Sequence, residues 1–370
     1  MRKRATKVKE DYFELPEGYS GKFISTPQTE TKLLSCTKSG VWRKSRGRRH
    51  QRYRWTSDFE HYFKQLPVTN ESHTVIGNFL EKVTLFEFKD VKCVPRKKES
   101  LSLNKFSMKI IKNNDISSKE MSKVFFAVAA GGDSFQHFVQ DLAPILAFYK
   151  PFLDAHPDMQ LALKEPLFSF KSFEILINSL HIKNDLILIK PKTSIEVSSL
   201  YVPSFSSMDA LYSTPVSMYI ALRELIRNDV QVETSYSPTI LLVLRKEETR
   251  NMINVQEVEL ALRDWSNQRG HCFHTVDTKI ESPQAVKRKF QEAKIIIAMH
   301  GGANYNLIFS QPHTVFIEFI PTINTNTMAD FALSIGIDYL PIPVEGSISN
   351  RFFQVPLDKL LNLLNHVTKH

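Results

Sequence analysis

The segment with the strongest chemical signal spans residues 295–321, IIIAMHGGANYNLIFSQPHTVFIEFIP. It begins with an apolar run of the kind that lies inside a parallel sheet with both faces buried. The run is followed without a spacer by His300, Gly301, Gly302, Ala303 and Asn304. Two glycines at a strand end let backbone N–H groups approach a ligand, and a helix beginning near Asn304 would direct its positive end to the same point. The segment therefore predicts a strand, glycine turn, helix and strand that bind a phosphate group. A tight turn without a ligand is the alternative.

Two side chains strengthen the phosphate interpretation. His300 stands at the strand end, where a donor can reach a phosphate. Glu318 is an acid inside the apolar strand VFIEFIP, and buried carboxylates are rare unless they are paired or hydrogen-bonded. A carboxylate at that strand end is suited to bridge the two hydroxyls of a ribose. The alternative for Glu318 is a structural ion pair with a nearby Lys or Arg.

The elements that must position these residues follow an alternating pattern. Strands are predicted at 123–132, 159–165, 185–190, 198–204, 239–246, 272–278, 294–300, 314–320 and 335–343. Helices with apolar residues at 3.6 spacing are predicted at 134–152, 170–180, 255–269, 282–293, with Ser282 as N-cap, and 356–367. Earlier strands are predicted within 73–93 and near 106–111. The alternation indicates an α/β fold with βαβ units, mostly parallel sheets and two domains that meet near 230–238.

A concentrated basic stretch lies near the N-terminus. Seven Lys and Arg residues and no acid stand between Trp42 and Trp55. With Tyr53 and Trp55 interleaved, the stretch predicts a possible anionic partner such as RNA, an acidic polysaccharide or a membrane surface. A solvated basic arm, partly irregular over residues 1–60, is the favoured alternative.

Composition sets wider limits. A chain of 370 residues, 42% hydrophobic and 24% charged, predicts a globular protein of two or three domains. Three scattered cysteines suit neither a disulfide framework nor a zinc site. No apolar run reaches the ~18 residues of a spanning helix, and no apolar segment follows the basic start. We therefore expect a cytoplasmic protein, with the Golgi or endoplasmic reticulum lumen as the alternative if the N-terminus is incomplete.

Residues 295–321 resemble the signature of glycosyltransferase family 61, in which a strand is followed by HGAGLTN, a Phe, a Pro-Gly and an apolar strand with Glu and Pro. The matching residues are His300, Gly301, Asn306, Phe309, Pro312, Glu318 and Pro321. The departures are Gly302 and Ala303, which exchange the family's Ala and Gly, Asn304 in place of its Leu, and His313 in place of the Gly of its Pro-Gly.

Further blocks fall in the family's order, and the resemblance covers about 123–368. LLVLRKEETRNMIN resembles its strand with two arginines and an Asn, here Arg245, Arg250 and Asn254. The acid that the family places after the Asn is displaced to Glu257. GGDSFQHFVQDLAPILAF resembles its block with a His, an Asp four residues on and a Leu-Pro, and the corresponding residues are His137, Asp141 and Pro144, with Phe138 replacing a Trp.

The resemblance implies a GT-B-like architecture, with two Rossmann-like domains of parallel sheets facing each other across a cleft. On that basis we expect a basic arm at 1–60, an acceptor-side domain at 61–235, a nucleotide-sugar domain at 236–350 and a closing helix at 351–370. It also implies an inverting transferase for a hexosyl or pentosyl group, related to EGF-domain O-GlcNAc transferases and β-1,2-xylosyltransferases. The donor would be a nucleotide-sugar, in particular a UDP-sugar, and the acceptor a hydroxyl of a protein or glycan.

Inverting transfer needs a base for the acceptor hydroxyl and positive groups for the departing diphosphate. Arg245 and Arg250, five residues apart at a strand end and in the following loop, are candidates for the diphosphate, and an exposed loop pair is the alternative. His137 and Asp141, four apart on a helix, are candidates for the base, and a surface pair without a catalytic role is the alternative. No Asp-x-Asp motif is present, so we expect metal-independent chemistry without a cofactor.

Two rival functions remain. A catalytically silent relative would bind a nucleotide-sugar or glycan without transferring it, in keeping with the altered glycine turn and the displaced Glu257. A nucleic-acid-binding protein would use the basic stretch 42–55, and its affinity would depend steeply on salt.

Overall fold

The structure is a computed structural model of the chain. It describes residues 134–165, 170–189, 195–205, 216–228, 237–245, 249–323, 335–347 and 349–368, a few positions between 328 and 332, and separate strands nearer the N-terminus. Its elements divide into two compact units. One unit includes Phe79–Leu222, and the other includes Arg223–His370 together with the short strands that precede residue 76. The domain limits predicted at 60, 235 and 350 stay predictions.

Four short strands precede the larger sheets. They are β1 (Leu34–Cys36), β2 (Trp42–Arg46), β3 (Gln51–Trp55) and β4 (His73–Val75). β1 pairs with β4 and β2 with β3, both antiparallel. The backbone of the basic stretch 42–55 thus forms two antiparallel strands that pair with each other. Its side chains lie outside the described residues, and the anionic partner stays a prediction.

The first unit is built on a six-stranded sheet. Its strands are β5 (Val83–Pro95), β6 (Met108–Lys112), β7 (Lys123–Ala127), β8 (Gln160–Lys164), β9 (Leu186–Ile189) and β10 (Ile195–Phe205). The spatial order is β6-β5-β10-β7-β8-β9, and the pairs from β10 to β9 are parallel. β5 and β6 run antiparallel to their neighbours. Antiparallel pairs need no helical crossover, which agrees with the absence of a predicted helix between these two strands.

The first four helices of this region lie between those strands along the chain, and the fifth follows β10. They are α1 (Phe135–His137), α2 (Ala143–Phe148), α3 (Lys150–Asp154), α4 (Phe170–Ser179) and α5 (Val216–Asn228). A π-helical turn, Phe138–Leu142, joins α1 to α2. The single helix predicted for 134–152 is therefore wrong in detail, since it is divided into three helices and a wide turn.

Pro144 explains the wide turn. A proline inside a helix has no N–H to donate, and its ring clashes with the carbonyl four residues earlier, which here belongs to Gln140. The backbone widens, and the Ala143 N–H donates to the Phe138 carbonyl five residues back. The Gln140 carbonyl accepts instead from the Tyr219 hydroxyl at 3.1 Å.

The second unit contains a five-stranded sheet and a two-stranded pair. Its strands are β11 (Thr239–Val243), β12 (Asn251–Met252), β13 (Cys272–Val276), β14 (Ala293–Met299), β15 (Val315–Ile323), β16 (Asp338–Ser347) and β17 (Phe352–Phe353). The large sheet has the order β13-β11-β14-β15-β16 and is parallel throughout. β12 pairs with β17, also parallel. The prediction of a mixed α/β fold with parallel sheets is confirmed.

The helices of the second unit match the apolar periodicity closely. They are α6 (Val255–Asn267), α7 (Pro283–Glu292), a 3₁₀ helix (Gly302–Phe309) and α8 (Leu357–Val367). The Ser282 hydroxyl caps α7 by accepting from the Ala285 N–H at 3.2 Å, as the sequence predicts. Among the described helices, none combines the length and the apolar character that crossing a bilayer requires.

Candidate functional site

The predicted phosphate residues lie at the carboxyl edge of the five-stranded sheet. Numbered along the chain, its strands have the spatial order 2-1-3-4-5, and the chain changes direction between β11 and β14. Open parallel sheets bind ligands outside the carboxyl ends of the strands at such a switch point. Val243 lies opposite Ala298, and Ala298 lies opposite Glu318. The residues that follow β11 and β14, Arg245 and His300, therefore emerge at the same level.

Arg245 lies directly against the glycine turn. A Cβ added to Gly301 would stand 2.3 Å from one terminal guanidinium nitrogen of Arg245 and 3.2 Å from its Cζ. The backbone of Gly301 is extended, with φ 171, so it is the space and not the conformation that requires glycine. The Nε–H of Arg245 donates to the Thr249 carbonyl at 2.8 Å, which anchors the side chain. The structure thus brings one predicted arginine to the predicted anion site.

The helix after the turn is a 3₁₀ helix that begins at Gly302, two residues before the predicted start. The Asn304 N–H donates to the Gly301 carbonyl at 3.1 Å, and its side-chain amide donates to the Met299 carbonyl at 3.0 Å. Asn304 is therefore buried, and its backbone N–H and side-chain amide both form hydrogen bonds that stabilise the turn. The N–H groups of Gly302 and Ala303 precede the first intrahelical bond, and both residues are partly exposed. These two amides are the ones placed to meet an anion.

A buried arginine caps the other end of the 3₁₀ helix. Arg223 of α5 is 7% exposed, and one guanidinium nitrogen donates to the Ile308 carbonyl at 2.7 Å. Its second terminal nitrogen donates to the Ser310 carbonyl. A positive charge at the carbonyl end of a helix complements the helix dipole. Sequence reasoning missed Arg223, because the 85 residues that separate it from Ile308 give no local signal.

His300 and Glu318 meet in the sheet as a buried pair. The His300 Nδ1 lies 2.7 Å from the Glu318 Oε1, and Glu318 is completely buried. The second carboxylate oxygen of Glu318 accepts from the Tyr339 hydroxyl at 2.5 Å. The ion pair with Lys or Arg weighed as the alternative for Glu318 is thus replaced by a histidine and a tyrosine. Its predicted contact with ribose hydroxyls stays a prediction, and sequence reasoning missed Tyr339.

The second predicted arginine, Arg250, lies in a loop whose backbone is hydrogen-bonded to the backbone near residue 350. Arg250 has a positive φ of 63, and its N–H donates to the Asn350 carbonyl at 2.9 Å. Asn254 holds the same region together, since its side chain accepts from the Val355 N–H at 3.0 Å and donates to the Val355 carbonyl at 3.1 Å. Its amide also lies 3.2 Å from the Glu257 carboxylate. The displaced acid therefore still reaches the asparagine that it adjoins in the family pattern.

The predicted base pair lies in the first unit. His137 ends α1, and its N–H donates to the Ser134 hydroxyl at 3.4 Å. Asp141 belongs to the π-helical turn, and its side chain lies outside the described residues. Single π turns inside α-helices often occur at functional sites. The structure places both residues on one distorted helical segment, and their proposed role as base stays a prediction.

The comparisons with known proteins point to one family. The family model for glycosyltransferase 61 matches residues 135–317, which include both arginines, the glycine turn and the candidate base pair. No curated protein matches the chain. A flavodiiron protein from Giardia intestinalis aligns structurally with 10% identity, over 85% of this chain and 71% of its own, and a TM-score of 0.24 establishes no shared fold. The chain belongs to glycosyltransferase family 61.

Proposed function

We propose that this chain is an inverting glycosyltransferase that moves a hexosyl or pentosyl group from a UDP-linked donor to a hydroxyl of a protein or glycan. Family membership supports glycosyl transfer in general. The observation that carries the nucleotide-sugar donor is the packing of Arg245 against Gly301, at the start of the 3₁₀ helix and at the switch point of a parallel sheet. A guanidinium and two helix-terminal amides at one point favour a diphosphate.

The donor diphosphate is assigned to Arg245, the turn from His300 to Asn304, and Arg250. Arg245 neutralises the charge that develops on the departing diphosphate, and the amides of Gly302 and Ala303 bond its oxygens. Asn304 contributes by shaping the turn. Glu318 already accepts two hydrogen bonds, so a ribose contact would require it to release Tyr339.

The acceptor hydroxyl needs a base, and we assign this task to the segment that carries His137 and Asp141. In an inverting transfer the acceptor oxygen forms a bond to the anomeric carbon while the bond to the diphosphate oxygen breaks. The hydroxyl proton passes to the base, and the electron pair leaves with the diphosphate. We further propose that the two units form a GT-B-like pair and that the reaction needs no metal, because arginine and helix-terminal amides supply the positive charge.

Calorimetric titration of UDP, GDP and CMP tests the donor site. We expect the wild type to bind UDP, and Arg245→Met and Glu318→Ala to weaken that binding. Arg263→Met is the matched control, since Arg263 is exposed on α6 and its loss removes the same charge away from the site. If the wild type binds none of the three nucleotides, the donor site does not exist as proposed.

Turnover separates the transferase from a silent relative. An active enzyme hydrolyses its UDP-sugar slowly in the absence of acceptor and releases UDP, whereas a silent relative binds the donor and leaves it intact. A His137→Ala variant that binds UDP like the wild type but no longer hydrolyses the UDP-sugar would place His137 in the reaction and not in the donor site.

A further inference from the structure

The Glu318 carboxylate is enclosed by two hydrogen-bond donors. It lies in the middle of β15 with an exposure of 0%, 2.7 Å from the His300 Nδ1 and 2.5 Å from the Tyr339 hydroxyl oxygen. Tyr339 is itself 1% exposed and lies on β16, the next strand of the sheet. Two neighbouring strands and the residue that follows β14 thus contribute to one continuous chain of side chains, which ends at the predicted phosphate turn.

The direction of these hydrogen bonds follows from the chemistry of the groups. An ionised carboxylate only accepts, so the tyrosine donates its O–H and the histidine donates its Nδ1–H. A buried carboxylate without such donors would be strongly unfavourable. The bond at Nδ1 also fixes the orientation of the ring and leaves Nε2 as the nitrogen for a further partner. His300 immediately precedes Gly301, where the Arg245 guanidinium is packed.

We propose that Tyr339 is a positioning residue for the donor site: through Glu318 it holds the His300 ring so that Nε2–H donates to the terminal phosphate of the nucleoside diphosphate. This inference rests on the proposed function. It gives Glu318 the task of orienting His300, and it requires that the ring carries a proton on both nitrogens while UDP is bound, because Nδ1–H faces the carboxylate and Nε2–H faces the phosphate. It also predicts that Tyr339 affects the binding of the terminal phosphate and not the binding of the nucleoside.

The single variants should weaken UDP binding in a definite order. His300→Asn removes the donor itself, and we expect about 10- to 100-fold weaker UDP binding, the range for a hydrogen bond to a charged group. Tyr339→Phe keeps the ring and removes one hydrogen bond from Glu318, and we expect about fivefold weaker UDP binding. UMP lacks the terminal phosphate, so its affinity should be unchanged in both variants.

A double-mutant comparison tests whether Tyr339 acts through His300. In the His300→Asn background, Tyr339→Phe should no longer change UDP affinity, because the ring that it positions is gone. An additive effect of the two substitutions would overturn the proposal. Tyr149→Phe is the matched control, because the buried Tyr149 hydroxyl has no hydrogen-bond partner among the residues that the structure describes. That variant should bind UDP like the wild type.

Nitrogen-15 NMR of the His300 imidazole provides a readout that a merely structural role would not change. With UDP bound, both ring nitrogens of the wild type should carry protons, and in Tyr339→Phe the Nδ1 signal should shift, because the Glu318 carboxylate has lost one of its two donors. Unaltered signals in Tyr339→Phe contradict the relay. If the wild type binds no UDP, the donor site itself fails, whereas UDP binding that is insensitive to Tyr339 removes only this inference.

Discussion

The turn after β14 and the helical segment after β7 both carry residues of the proposed reaction, but they are held in different ways. At the first, side chains bond one another across adjacent strands, as His300, Glu318 and Tyr339 do. At the second, one proline and one tyrosine hydroxyl act on the backbone of a helix. The first arrangement fixes side-chain atoms, which would suit the diphosphate of the proposed donor. The second fixes the path of the chain, which would suit the proposed contact with an acceptor.

The largest expected effect concerns the capped end of the 3₁₀ helix. Arg223→Met should lower the free energy of unfolding by about 3 kcal/mol, because the Ile308 and Ser310 carbonyls lose a charged donor in a buried place. Denaturant unfolding measures the change. Arg288→Met is the control, since Arg288 is an exposed residue whose ion pair with Glu292 contributes about 0.5 kcal/mol or less. Equal losses in the two variants would show that the helix does not depend on Arg223.

Gly301 in the donor turn and Gly270 after α6 are expected to separate effects on binding from effects on stability. Gly301→Ala should weaken UDP binding by about 10- to 100-fold, because the new Cβ displaces the Arg245 guanidinium, and it should leave the free energy of unfolding nearly unchanged. The extended backbone at Gly301 accepts alanine, and the nearest clashing atom is a terminal guanidinium nitrogen, which lies beyond the Nε–H that bonds the Thr249 carbonyl.

Gly270 offers the opposite case. Its φ is 66, and an added Cβ would meet nothing within 4 Å, so Gly270→Ala should cost about 1 kcal/mol of stability and leave UDP binding intact. Calorimetry and thermal unfolding of both variants check this pair of outcomes. A Gly301→Ala protein with wild-type affinity for UDP would show that Arg245 does not bind the diphosphate.

The elements after residue 123 were predictable because their signals are local. Apolar runs and 3.6 spacing depend on neighbours within one turn or strand, and Ser282 before Pro283 is a complete capping signal in itself. The proline at 144 was also a local signal for a broken helix, and the apolar spacing around it concealed the break.

The contacts that build the candidate site were not predictable in the same way. Glu318 in an apolar strand showed that a partner must exist, but not that the partners are His300 and Tyr339. The identity of a partner depends on strand order and register, which bring residues 18 and 21 positions apart side by side. The 3₁₀ helix Gly302–Phe309 in place of an α-helix likewise had no signature in the sequence.

The π-helical turn can be tested by a double-mutant cycle. Tyr219→Phe should cost about 1 kcal/mol of stability in the wild type, because the buried Gln140 carbonyl loses a hydrogen-bond donor. In Pro144→Ala the new N–H can reach that carbonyl, so the same substitution should cost less. Denaturant unfolding of the four proteins gives the coupling. Strictly additive costs would mean that the proline is not the reason why Gln140 needs Tyr219.

The smallest effect is a dependence of stability on pH at the end of α6. Burial lowers the pKa of His271, and the positive charge of Arg269 lowers it further. The folded state therefore favours neutral His271, which lies edge-on against Trp265 at 5.4 Å between ring centroids. As the pH falls through about 6.5, the unfolded chain takes up the proton first, and the free energy of unfolding decreases until the lower folded pKa is passed.

The charges around His271 make the sign of this effect definite. Arg269 stacks on the Trp265 ring at 4.3 Å and donates to the Asn365 side chain at 2.7 Å, so its guanidinium is held beside the imidazole. Protonation of His271 would place a second positive charge in that cluster. Unfolding curves at pH 7.5 and pH 5 should therefore differ less for His271→Gln than for the wild type. If the variant loses as much stability on acidification as the wild type does, groups other than His271 cause the dependence on pH.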